Sequence, residues 1–95
     1  MNDKNNNGNL FETLFEFPCK FPIKIMGLPN CGLEDFVRQT LEQQVHKHDS
    51  ISIHVRESAG GKFISITALF EADSREQLDN LYRVFTSNPN VKMVL

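Results

Sequence analysis

Two periodicities divide this chain. Ile51, Ile53 and Val55 alternate with Ser52, His54 and Arg56, and Ile64, Ile66, Ala68 and Phe70 alternate with Ser65, Thr67, Leu69 and Glu71. Alternation at period two marks a strand with one buried face, because successive side chains leave opposite sides of the backbone. Between the two runs stands Ser58-Ala59-Gly60-Gly61, short and glycine-bearing, so the pair reads as a hairpin. The same alternation runs through Phe21, Ile23 and Ile25, set against Pro22, Lys24 and Met26, and stops at Gly27. It returns at the end of the chain, where Val91, Met93 and Leu95 are set against Lys92 and Val94. By that parity Val91 and Met93 point inward and Val94 outward.

The segments between follow a period of three and four. Leu33, Phe36, Val37, Leu41 and Val45 form one apolar helical stripe, and Leu78, Leu81, Tyr82 and Phe85 another. Glu34 and Asp35 fall in the first turn of the earlier helix, where the macrodipole favours negative charge; His46, Lys47 and His48 gather at its end, where cations are favoured. Ser74-Arg75-Glu76-Gln77 has the form of a capping box, and Asn88-Pro89-Asn90 is a stop signal.

The order is therefore β-α-β-β-α-β, an α+β chain of the ferredoxin-like, split βαβ type. Right-handed crossovers put both helices on one face of a four-stranded antiparallel sheet of order 4-1-3-2. The expected core is Ile23, Ile25, Ile53, Val55, Ile64, Ile66, Ala68, Phe70, Val91 and Met93 against the helices. Residues 16–95 are expected to form this one domain. Residues 1–15 are expected to be a flexible extension, with Leu10 to Phe15 as a single helical turn or an apolar cover. A domain this small buries a modest share of its surface, so a dimer is expected to help it.

Much is excluded on chemical grounds. Net charge is −2, so no global pull acts toward nucleic acid or anionic lipid. Cys19 and Cys31 make no CxxC pair and read as reduced thiols. No apolar run approaches the ~20 residues of a membrane helix, and the polar start has no leader-like apolar stretch, so a cytoplasmic protein is expected. Gly60-Gly61-Lys62 invites a phosphate-loop reading, but Phe63 follows the lysine and strands flank the loop on both sides, so spacing and context fail. His46 and His48 at i and i+2 on a helix diverge and make poor joint metal ligands. Metal-carrying domains of this topology have two thiols in the first strand-to-helix loop, and here that loop has Cys31 alone; acylphosphatases have an arginine there, and Gly27 to Gly32 contains none. Neither a catalytic triad nor a carboxylate pair is suggested. The expectation is a protein without cofactor, metal or enzymatic activity.

Two candidate sites remain. The sheet face away from the helices is expected to carry Lys24, Met26, His54, Arg56, Ser65, Thr67, Leu69, Lys92 and Val94, cationic at its rim and apolar in its centre, as protein interfaces are. It would take a protein partner or a second copy of the chain. RNA-binding domains of similar topology stack bases on aromatic residues here; Lys24, Met26, Ser65 and Thr67 are not aromatic, so nucleic acid is disfavoured. The second site is the loop of Asn30, Cys31 and Gly32, where a helix N-terminus can accept a small anion such as an amino-acid carboxylate.

Several short matches in order, Phe17-Pro18, Phe21-Pro22, Lys24-Ile25-Met26-Gly27, Ser65-Ile66-Thr67, Leu81-Tyr82 and the terminal Val91-Lys92-Met93-Val94-Leu95, make the chain resemble the YbeD-like family of small bacterial proteins. The resemblance implies a ferredoxin-like fold similar to ACT regulatory domains, and it brings no catalytic residues with it.

Overall fold

The computed structural model describes residues 16–95, and the expected extension over 1–15, with its Leu10–Phe15 segment, lies outside them. Strand β1 (Cys19–Gly27) leads to helix α1 (Leu33–Gln44) and a short 3-10 turn (His48–Ser50). Strands β2 (Ser52–Glu57) and β3 (Ile64–Ala72) follow as a hairpin, then helix α2 (Arg75–Ser87) and strand β4 (Val91–Val94). The sheet is antiparallel throughout, in the order β2-β3-β1-β4. This is the ferredoxin-like α+β sandwich that the two periodicities predict.

Each element has a local cause. Gly60 and Gly61 take φ of 84° and 69° in the hairpin loop, a region where side chains cost energy. Ser58 closes that loop, its N–H donating to Phe63 O at 2.9 Å and its hydroxyl accepting from Phe63 N at 3.0 Å. Ser74 caps α2, accepting from Gln77 N at 3.1 Å. The second half of the capping box is displaced by one residue: Gln77 Oε1 accepts from Asp73 N at 2.8 Å. Its Nε2 donates to Gln44 O at 2.8 Å, so one buried glutamine ties the end of α1 to the start of α2.

One sheet face packs on both helices. Phe21, Ile23 and Ile25 of β1 and Ile66, Ala68 and Phe70 of β3 meet Leu33, Val37 and Leu41 of α1 and Leu78, Leu81 and Phe85 of α2. Phe36 and Phe85 meet edge to face, ring centroids 6.1 Å apart, joining the two helices.

Three expectations are corrected. Helix α1 stops at Gln44, so His46, Lys47 and His48 lie past its last turn rather than on it. Val55 faces the helix side of the sheet yet stays 38% exposed, because β2 is an edge strand that α1 does not cover at this end. The third concerns β4, where Met93 and Val94 exchange faces while Val91 stays inward. Met26 pairs with Met93, but Gly27 pairs with Val91, so Lys92 is an extra residue with no partner on β1. This bulge resets the parity: Val91 and Val94 pack against the core, while Met93 turns to the open face at 48% exposure. Val94 therefore leaves the candidate face and Met93 leaves the core.

Candidate interaction face

The open face is built in cross-strand rows. Pairing sets Arg56 beside Ser65, Ser65 beside Met26 and Met26 beside Met93. The next row runs His54, Thr67, Lys24 and Leu95; Leu95 joins it by exchanging backbone bonds with Lys24 at 3.1 and 2.8 Å. A third row holds Ser52, Leu69 and Pro22, and a fourth Glu71 and Lys20. The structure thus brings Lys24, Met26, His54, Arg56, Ser65, Thr67 and Leu69 onto one surface, as alternation predicts. Lys92 is exposed in the bulge beside them.

The rows divide the surface. Met26, Met93 and Leu95 form an apolar corner over β1 and β4, with Leu95 61% exposed. Arg56 puts a cation over β2 with His54 two residues before it on the same face, and Lys24 stands between this edge and the apolar corner. Among the described residues, no ion pair engages Lys24, Arg56 or Lys92. Glu71, the carboxylate on this face, is taken up by Lys47 at 3.7 Å. Lys24, Met26, Arg56 and Ser65 also line a cleft of about 320 Å³, closed on one side by Phe63. Phe63 is 40% exposed at the hairpin tip and is the face's aromatic contribution.

The first loop has a different character. Asn30 and Gly32 take φ of 61° and 75°, and Cys31 Sγ donates to Leu28 O at 3.1 Å. Asn30 and Gly32 do line a cleft of about 290 Å³, but Glu34 and Asp35 line it too, with Leu33, Val55 and Ile64. Those carboxylates occupy the positive end of the α1 dipole and repel an incoming anion. The loop suits the ammonium end of an amino acid better than its carboxylate. Cys31 is exposed, whereas burial, with the charge of Glu71 second, pushes the Cys19 thiol up.

A third polar region escaped the sequence reading. His46 Nδ1 meets Asp73 Oδ2 across the ends of the two helices, beside a cleft of about 340 Å³ lined by Gln44, Ser74, Glu76, Gln77 and Asn80. His46 and Asp73 are far apart in the chain, and neither lies in a regular element, so no periodicity links them. Among the described residues, no group of His, Cys, Asp or Glu is arranged to hold a metal ion, and no helix is long and apolar enough to cross a membrane.

The sheet and its one helical layer define a small ferredoxin-like α+β domain, with one sheet face left uncovered among the described residues. Solved structures share it: the solution structure of protein HP0495 from H. pylori superposes with a TM-score of 0.64 at 13% identity, covering 85% of each chain. The C-terminal domain of the MgtC protein from Mycobacterium tuberculosis follows at 0.59 and 22% identity, covering 85% of this chain and 87% of that one. At the level of family, the model described as "Protein of unknown function (DUF493)" matches residues 12–95, and the chain belongs to that family. Curated relatives named UPF0250 protein include one from Chromobacterium violaceum, 47% identical over 87 residues, and one from Paraburkholderia phytofirmans, 43% identical over 84. Each alignment covers 88% of this chain and 94% of the relative. The YbeD-like resemblance read from the short matches is thereby borne out.

Proposed function

We propose that this domain is a non-catalytic interaction module of regulatory type, similar in role to ACT domains, that captures a protein partner on its bare sheet face. The observation behind this reading is the arrangement of the rows: an apolar corner of Met26, Met93 and Leu95 adjoins unpaired cations at Lys24 and Arg56. A partner with an apolar anchor and acidic flanks fits both halves. Apolar contact supplies affinity and the cations supply orientation and on-rate.

Affinity capture from a lysate of the source cells tests it. Wild-type domain should retain a specific protein that the Lys24→Glu, Arg56→Glu, Lys92→Glu variant loses. Identical capture by the variant would refute the reading. A second reading, small-ligand sensing at Asn30 to Gly32, is favoured by the cleft there, with an ammonium group against Glu34 and Asp35. Amino acids that fail to raise the melting temperature would remove it.

A further inference from the structure

The sheet has two lateral edges, and they are built differently. On the β4 side the edge is short and interrupted: the bulge at Lys92 breaks its register, and Pro22 of β1, one pair beyond Leu95, has no N–H to offer. On the other side β2 pairs with β3 without a break over Ser52–Glu57, contains no proline, and is covered by nothing among the described residues. Among the described residues, no backbone group of these six bonds outside the hairpin.

The free groups can be assigned. Lys24 exchanges both backbone bonds with Leu95, so its neighbours Ile23 and Ile25 bond toward β3. Carrying that parity across β3 makes Thr67–His54 and Ser65–Arg56 the bonded pairs of the hairpin. The N–H and C=O groups of Ile53, Val55 and Glu57 therefore point away from the sheet. Two clefts flank this edge on opposite faces. Arg56 and Glu57, with Lys24 and Met26 two strands further in on β1, line one of about 320 Å³ on the open side. Val55, with Glu34 and Asp35, lines the other, of about 290 Å³, on the helix side.

We infer that the free edge of β2 is a docking site for an extended peptide that adds a fifth strand. A strand laid there sends alternate side chains to the two faces, beside Arg56 on one and beside Val55 on the other, which is how strand addition gains specificity. Charge complementarity fixes the peptide chemistry: an acidic residue beside Arg56 on the open side, where Glu57 at the strand end partly offsets the cation, and aliphatic residues with a basic tip on the side of Val55, Glu34 and Asp35. A second copy of this chain is the poorer occupant. The two-fold registers that use most of β2 oppose Arg56 to Ser52 or to His54, so neither sets an acid opposite Arg56.

The probe is a fluorescein-labelled heptapeptide, Glu-Val-Glu-Lys-Glu-Val-Glu, compared with Glu-Glu-Val-Lys-Val-Glu-Glu, which has the same composition without the alternation. The alternating peptide should bind at least tenfold more tightly by anisotropy and slow amide hydrogen exchange at Ile53, Val55 and Glu57 at least tenfold. Val55→Pro removes one outward N–H without breaking the hairpin ladder, and Arg56→Glu reverses one cleft; each should cost at least tenfold in affinity, with circular dichroism confirming the fold. Equal binding of the two peptides, unprotected edge amides, or an unaffected Val55→Pro variant would each overturn the inference. So would edge protection that grows with protein concentration alone, which would make a second copy the occupant. Met93→Glu lies across the sheet from this edge and should leave peptide affinity unchanged while impairing partner capture on the face. Failure at the edge is thus distinguishable from failure of the open-face reading.

Discussion

Gly27 and Gly32 bracket the same loop and are glycine for different reasons. A Cβ on Gly27 would collide with the carbonyl oxygen of Asn90 and stand 2.5 Å from Leu33 Cδ2. That carbonyl is fixed, since it accepts from Leu28 N at 3.0 Å. Gly32 has open space around it, and its constraint is a φ of 75°. Gly27→Ala should cost about 3 kcal/mol in urea unfolding, the upper end for overpacking. Gly32→Ala should cost about 1 kcal/mol, as left-handed backbone does, and Gly32→Asn less. The reverse order would show that the two glycines have been misassigned. Tyr82 adds a pH dependence. Burial pushes its phenol up, so the unfolded chain ionises first as pH rises past about 10. Stability is fully present below that pH and is lost above it; Tyr82→Phe should flatten the alkaline limb of a stability–pH curve.

Among the elements, β4 shows what the chain discloses and what it withholds. Parity in β1, β2 and β3 is legible because their pairing is uninterrupted, so alternation in the chain equals alternation in space. In β4 the chain reads V-K-M-V-L with the same regularity, but one residue has no partner, and every side chain beyond it changes face. Nothing in the composition of four residues announces a bulge, because Lys92 is at home on either side of it. The consequence is measurable. Met93→Glu places a carboxylate in water and should change stability by less than about 0.5 kcal/mol. Val94→Glu drives one against the core and should cost about 2 kcal/mol or more. Thermal melts with the opposite ranking would restore the unbulged register. Gln77 was half legible in the same way. Its position announces a cap, but its bonds to Gln44 O and Asp73 N depend on where α1 ends. Gln77→Ala takes the partner from two part-buried groups beside a cleft and should cost about 1 kcal/mol.

For the molecule as a whole, the net charge of −2 conceals an uneven distribution. Lys24, Arg56 and Lys92 lie on the sheet side and enter no ion pair among the described residues. On the helix side Arg38 is bound to Glu34 at 3.0 Å, and Arg83 donates to Asn80 at 2.7 Å. The face was readable from parity in three of its four strands, and its sign from the sequence alone. Its apolar corner was not, since Met93 and Leu95 reach it only through the bulge and the backbone bonds at Lys24. A surface of this kind makes an overall acidic protein behave locally as a cation, because screening confines the field to about 10 Å at ordinary salt. Two double variants of equal net charge separate the local effect from the global one. Lys24→Glu with Arg56→Glu should elute from a sulfonate cation exchanger at clearly lower salt than Arg38→Glu with Arg83→Glu. Both lose the same four charges, so net charge predicts identical elution. Only an oriented, sheet-first approach to the resin predicts a difference, and coincident peaks would mean that the bare face exerts no field of its own on a partner.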